Sequence, residues 1–132
     1  VPYLQVDLPA PASLEAKHAF ARRLAALYAE AMETAAHIPA IAFRELGPGN
    51  LVRLQDGELR AVVVVMCDIR RGRPPAQREA LARAIARDAA ATFAVDERQV
   101  VVEFTQHTPD EMFRYGNIAP EWSPDEARQP SA

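Results

Sequence analysis

The chain has almost no cysteine and almost no lysine. Cys67 is the single cysteine among 132 residues. That excludes an intramolecular disulfide and any centre built from several thiolates, and it fits a reducing compartment, with the cytoplasm as the expected location. Lys17 is the only lysine, and 15 basic residues stand against 18 acidic ones, for a formal net charge of −3. There is no basic excess to follow a phosphate backbone, so nucleic acid is not an expected partner. No apolar run has transmembrane length and no signal peptide is recognisable, so no membrane association is expected. A phosphate-binding loop, a dinucleotide fingerprint and a nucleophile elbow are all missing. His18, His37 and His107 lack metal-ligand spacing and have no neighbouring ligands. Neither a metal nor another cofactor is expected.

What is present suits one packed domain. Apolar residues make up 49% of the chain, and 132 residues fit a single core. The chain opens Val1-Pro2-Tyr3-Leu4-Gln5-Val6-Asp7-Leu8, an alternating pattern that predicts a strand over 3–8. Pro9 to Ala12 breaks it and Ser13 is a helix cap. Phe20, Leu24, Leu27 and Ala31 then recur at helical spacing over 14 to about 36, ahead of Pro39. A second strand is expected over 40–46, and a hairpin with strands at 51–54 and 59–60 around Asp56-Gly57. The order then repeats. A continuous apolar run over 61–67 reads as a strand buried on both faces. A basic loop spans 70–75, a helix 76–93 and a final strand 99–104. A short helical turn is expected over 109–113. The tail from Gly116 to Ala132 carries three prolines and reads as wrapping a neighbour or as disordered.

The predicted architecture is therefore α/β: tandem β-α-β units, pseudo-repeats of about 1–50 and 60–106. They make a four-stranded sheet with two helices on one face, as the right-handed crossover rule requires. A sheet covered on one face leaves the other in need of a partner, and self-association is the simplest answer.

Two features carry chemistry. Arg70 and Arg73 lie at the end of a buried strand, just ahead of a helix. Two guanidiniums so placed can grip one carboxylate, aided by the helix N-terminus. Read without further context, the same residues form a solvated basic loop. At the other feature, a strand beginning at residue 1 holds the α-amine of Val1, whose unperturbed pKa is about 7.7–8.0. A held group of that pKa can serve as acid or base. The plainer alternative is an inert first strand.

The strand at residue 1, Ala16-Lys17-His18-Ala19, Phe43 to Asn50, Arg70-Arg71-Gly72-Arg73 and Met112 to Gly116 together resemble the tautomerase superfamily. The likeness is to its cis-3-chloroacrylic acid dehalogenase branch and covers roughly residues 1–120. It implies the macrophage migration inhibitory factor-like fold, a homotrimer, and a small 2-oxo or unsaturated carboxylate as substrate. It places the catalytic acid or base at residue 1 and substrate binding at Arg70 and Arg73. Val1 stands where the family has proline. Tyr28, Arg114 and Glu103 align with the branch's helical histidine, its water-activating glutamate and its strand tyrosine. Without that glutamate, hydrolytic dehalogenation is not expected. Tyr28 and Arg114 become accessory substrate-binding candidates, with Glu103 and Tyr115 beside them. An Arg114–Glu103 salt bridge is the structural alternative, as is a core role for Tyr28. Enol–keto tautomerisation leads the functional reading. The alternatives are a catalytically degenerate binding protein, or a hydratase, decarboxylase or imine-forming lyase in the same pocket.

Overall fold

Strand β1 (Tyr3–Leu8) is the strand around which the sheet assembles. The structure, a computed structural model, describes residues 2–128. Leu4, Val6 and Leu8 alternate onto one face of β1 and are buried, while Tyr3 on the other face is 41% exposed. Helix α1 (Leu14–Met32) follows, and the Oγ of its cap Ser13 accepts from Ala16 N at 3.0 Å. The buried stripe is Phe20, Leu24, Tyr28 and Met32, with Leu27 and Ala31 packed at its edge. The helix stops short of the predicted residue 36. Glu33 takes the left-handed conformation, φ 50°, and its N–H caps Ala29 O. That stop is usually a glycine's, so the sequence carries no signal for it.

Strand β2 (Ala40–Glu45) pairs parallel with β1, which completes the first β-α-β unit. The hairpin of β3 (Val52–Gln55) and β4 (Glu58–Ala61) stands apart from the main sheet. Asp56 and Gly57 both have positive φ there, as a tight two-residue hairpin turn requires.

The second unit is β5 (Val63–Arg70), α2 (Pro75–Phe93) and β6 (Val100–His107). Both strands run three residues beyond their predicted ends. The apolar pattern stops there, but the parallel pairing continues through Ile69 with Gln106 to Arg70 with His107. The sheet order is β2-β1-β5-β6, with β1 antiparallel to β5. Val63, Val65, Cys67 and Ile69 meet Leu81, Ile85 and Ala89 of α2 and the α1 stripe in one core. Burying each of the Val, Leu and Ile side chains contributes about 1.5–3 kcal/mol. This is the predicted α/β architecture, two helices over a mixed four-stranded sheet. Among the described residues no helix is long and apolar enough to cross a membrane.

The C-terminal region departs from expectation. The predicted helical turn is a 3₁₀ turn over Pro109–Glu111, followed by a small hairpin of β7 (Phe113–Arg114) and β8 (Asn117–Ile118). Tyr115 and Gly116 form its turn with φ of 50° and 78°. The tail beyond it, followed to Arg128, ends in a 3₁₀ turn over Glu126–Arg128. It folds back onto its own chain across the end of β5.

Candidate active site

The site is built where β5 ends and α1 ends, at one edge of the core. Four residues, Arg71 to Pro74, link β5 to α2. Arg71 N–H donates to His107 O at 2.8 Å, which holds the link against β6. Gly72 then adopts φ +124°, a conformation that other residues resist, and the chain brings Arg73 inward. Arg73 Nε donates to Met32 O at 2.9 Å and its Nη1 to Arg70 O at 3.2 Å. Met32 is the last residue of α1, where helix carbonyls lack intrahelical partners. A guanidinium satisfies that carbonyl and suits the negative end of the helix dipole. Gln77 Nε2 does the same for Ala31 O at 3.1 Å, and Trp122 Nε1 for Glu33 O at 3.2 Å.

The side chains of Arg70 and Arg73 are 4% and 1% exposed. Buried guanidiniums require a counter-charge, and the tail supplies it. Arg70 Nη2 lies 2.6 Å from both Oε1 and Oε2 of Glu126. Arg73 Nη2 lies 3.9 Å from Oε2. The Thr34 hydroxyl donates to the same Oε2 at 2.5 Å. Arg70 Nη1 also donates to Pro120 O at 2.5 Å, and the Trp122 ring covers the Arg73 guanidinium at 5.0 Å.

The electrostatics follow from this packing. Burial works against ionisation of Glu126, but hydrogen bonds from Arg70 and Thr34 and the charges of Arg70 and Arg73 outweigh it. They hold the carboxyl below its usual range. Burial lowers the pKa of Arg73, and the charge of Arg70 adds to that. Burial pushes the Tyr28 phenol up to about 12, so it is a neutral donor, although the Arg73 charge pulls the other way. Burial and the Arg70 charge lower the pKa of Arg114 as well.

Two donors in this neighbourhood are left over. The Tyr28 hydroxyl and Arg114 Nη1 are buried with no hydrogen-bond partner among the described residues. Tyr28 is thus a core residue whose polar tip faces the charged cluster. Arg114 arrives from β7, and the Tyr115 hydroxyl donates to His37 O at 3.1 Å to pin its hairpin. Arg114 senses Arg70 and Glu126, and no salt bridge joins it to Glu103 among the described residues. Glu103 is opposite Met66 on β6, four positions before His107, the neighbour of Arg70. The Arg114–Glu103 pairing is therefore replaced by an Arg114 turned toward the arginine cluster. Val1 lies outside the described residues. Among the described residues, Pro2 O accepts from Ala40 N at 2.9 Å.

The structure thus brings Arg70, Arg73, Tyr28 and Arg114 together, sets Tyr115 at their margin and leaves Glu103 away from them. Sequence reasoning missed Glu126, Thr34 and Trp122. One signal pointed to them: several arginines converging on one buried place need an acid, and the tail holds Glu121, Asp125 and Glu126. Among the described residues no group of three or more His, Cys, Asp or Glu is placed to hold a metal.

No family model matches the chain, and no curated protein matches it. Solved structures do. One is N1, a member of the cis-3-chloroacrylic acid dehalogenase family, at 24% identity and a TM-score of 0.80, covering 90% of this chain and 84% of that one. A second is Pt0534 inactivated by 2-oxo-3-pentynoate, at 21% identity and a TM-score of 0.77, covering 89% and 94%. A third is a wild-type fused 4-OT described as an asymmetric trimer, at 24% identity and a TM-score of 0.77, covering 89% and 95%. At such identities the likeness establishes the fold, and that fold is the one these three structures share.

Proposed function

We propose that the chain is a tautomerase-type enzyme that interconverts the enol and keto forms of a small 2-oxo or unsaturated carboxylate. The observation that carries this reading is the buried arginine pair already gripping a carboxylate, with two unused donors beside it. Arg70 and Arg73 take the substrate carboxylate. Tyr28 and Arg114 turn toward its second oxygen, where charge changes as the enol becomes the ketone. The acid–base group is the α-amine of Val1. The ammonium delivers a proton to the enol carbon, the enol hydroxyl releases its own to solvent, and the amine is reprotonated from water. The β1–β5 register, with Tyr3 opposite Asp68, supports this because it sets the start of β1 beside the end of β5. The relatives of like fold, one of them inactivated by a 2-oxo acid, support the substrate class. Tyr115 is accessory in this reading, and Glu103, set back along β6, takes no part in it.

We also assign a homotrimer. Among the described residues the sheet face away from the helices is left open in part, with Tyr3 exposed and Gln5, Val64 and Met66 only partly buried. A fused 4-OT of like fold is described as a trimer. Light scattering on the purified protein measures the mass directly.

Ketonisation of phenylpyruvate enol, followed by ultraviolet absorbance, tests the activity. The expected result is a rate above buffer that Arg73→Ala lowers by about 100-fold and Val1→Pro raises. A rate no greater than buffer in both wild type and Val1→Pro, with both folded, overturns the tautomerase reading. It would leave a carboxylate-binding protein. Borohydride trapping of a 2-oxo acid, read by intact mass, would instead reveal an imine on a primary amine.

A further inference from the structure

The carboxylate that fills the arginine pair belongs to the protein itself. Glu126 sits on the tail, and the tail is attached mainly through polar contacts. Pro120 O binds Arg70, Trp122 covers Arg73 and binds Glu33 O, and Glu126 binds Arg70 and Thr34. Beyond the hairpin only Ala119 is an apolar residue buried in full, and the rest of the described tail is partly or wholly exposed. A segment with so little apolar burial opens at low free energy.

Glu126 also leaves the site incompletely used. A purely structural ion pair at a buried place normally satisfies its neighbouring donors. Here the Tyr28 hydroxyl and Arg114 Nη1 have no partners among the described residues while Glu126 is docked. A carboxylate with a further acceptor oxygen beside it would use donors that the glutamate does not.

We infer that Glu126 is a tethered stand-in for the ligand carboxylate, and that a small carboxylate enters only by displacing the tail from Arg70 and Arg73. The inference rests on the proposed carboxylate role of the arginine pair. It makes binding a competition between an internal and an external carboxylate. Apparent affinity is then the intrinsic affinity reduced by the fraction of molecules whose tail is open. A tail closed nine-tenths of the time weakens binding about tenfold. The tail carries its own reporter, because Trp122 is the only tryptophan in the chain.

The test titrates pyruvate into the full chain, with calorimetry for affinity and Trp122 fluorescence for the tail. Wild type, Glu126→Gln, Thr34→Val and Arg73→Ala are compared, each checked for folding by circular dichroism. The expected result is binding at least about tenfold tighter in Glu126→Gln than in wild type. Fluorescence should shift with saturation in wild type and stay near its end value throughout in Glu126→Gln. Thr34→Val, which removes one tail bond and keeps every charge, should bind with intermediate affinity, and it decides the matter if Glu126→Gln does not fold. Equal or weaker binding in the tail variants, with binding lost in Arg73→Ala, overturns the displacement model and leaves the arginine site standing. No pyruvate binding in any variant overturns the arginine-site reading, and this inference with it.

Discussion

The two β-α-β units share one element order, and they treat a carboxylate differently. Each has a helix of 19 residues ended by a left-handed residue, Glu33 in α1 and Ala94 in α2. Each also receives a carboxylate near its strand-to-helix junction. In the first unit Glu45, from the adjacent strand, accepts from Ala12 N at 2.7 Å and Lys17 Nζ at 3.0 Å. In the second unit Glu126 arrives from the tail onto Arg70 and Arg73. The first junction is a surface device. Ser13 caps α1, and the Lys17 and Glu45 side chains are 17% and 32% exposed. The second has Pro74 at the cap with no side-chain hydrogen bond, and both arginines are buried. Equivalent places in a duplicated fold have therefore become an ordinary surface pair and a buried, only partly satisfied anion site. Sheet geometry supplies the location twice, and side-chain chemistry makes one of them a site.

The largest expected effect separates the two junctions by charge removal. Arg73→Ala should lower enol ketonisation by about 100-fold, whereas Lys17→Ala should leave it within about twofold. The Lys17–Glu45 pair is partly exposed, and solvent screens such a pair strongly. Steady-state rates on the two variants, with thermal melts as a fold check, make the comparison. Similar losses in both would break the distinction drawn between the units.

Acid should separate them next. Glu126 and Glu45 both have carboxyls held below the usual range. For Glu126, burial opposes ionisation and the bonds from Arg70 and Thr34 overcome it. For Glu45, the Ala12 N–H leads, followed by Lys17. A carboxyl whose pKa is depressed on docking contributes stability that is fully present above its undocked pKa, about 4.3 for glutamate. The contribution is lost as pH falls through the docked value. The groups facing Glu126 are Arg70, Arg73, Arg114, Tyr28 and Thr34, and Glu126 is the one carboxyl among them. Trp122 fluorescence should therefore be flat from neutral pH down to the ordinary carboxylate range. It should change below that range as the tail leaves. Lys17→Ala should not move this transition, and Thr34→Val should shift it upward. A transition near neutral pH would mean that another group controls the tail.

The core of this molecule was legible because its pattern is local. Leu4, Val6 and Leu8, the apolar run of β5, and the register of Leu81, Ile85 and Ala89 each fall within one element. The ends of elements were less legible. Ile69 and Arg70 belong to β5 because Gln106 and His107 pair with them, and no window around residue 70 contains that information. The stop of α1 at Met32 was hidden for a related reason. Glu33 takes a conformation usually given to glycine, and its carbonyl is satisfied by Trp122, nearly ninety residues on. Arg70 and Arg73 were readable as a pair from spacing and resemblance. Glu126 was not, since its partners lie 56 and 92 residues away and prolines interrupt any periodicity around it. Arg114 was placed among the candidates, but its direction depended on the hairpin, where Tyr115 tolerates positive φ beside Gly116.

Tyr28 gives the smallest effect on stability and the sharpest distinction between a core residue and a site residue. Its ring lies in the buried stripe of α1 and its hydroxyl has no partner among the described residues. A buried hydroxyl without a hydrogen bond costs free energy in the folded state, so removing it is close to neutral or mildly stabilising. Tyr28→Phe keeps the ring and should leave the unfolding free energy unchanged or raise it by up to about 1 kcal/mol. The counterpart in the second unit is Leu–Ile–Ala packing without any polar tip, so nothing there invites the same test. If the hydroxyl meets the second oxygen of a bound 2-oxo acid, the same variant should weaken pyruvate binding severalfold, the loss of one hydrogen bond of about 0.5–1.5 kcal/mol. Glu126→Gln should show the same severalfold Tyr28→Phe loss as wild type, because the tail scales apparent affinity and leaves the intrinsic contact unchanged. A variant that is both more stable and a poorer binder would place the phenol in the site, while one that loses stability and binds normally would return Tyr28 to the core.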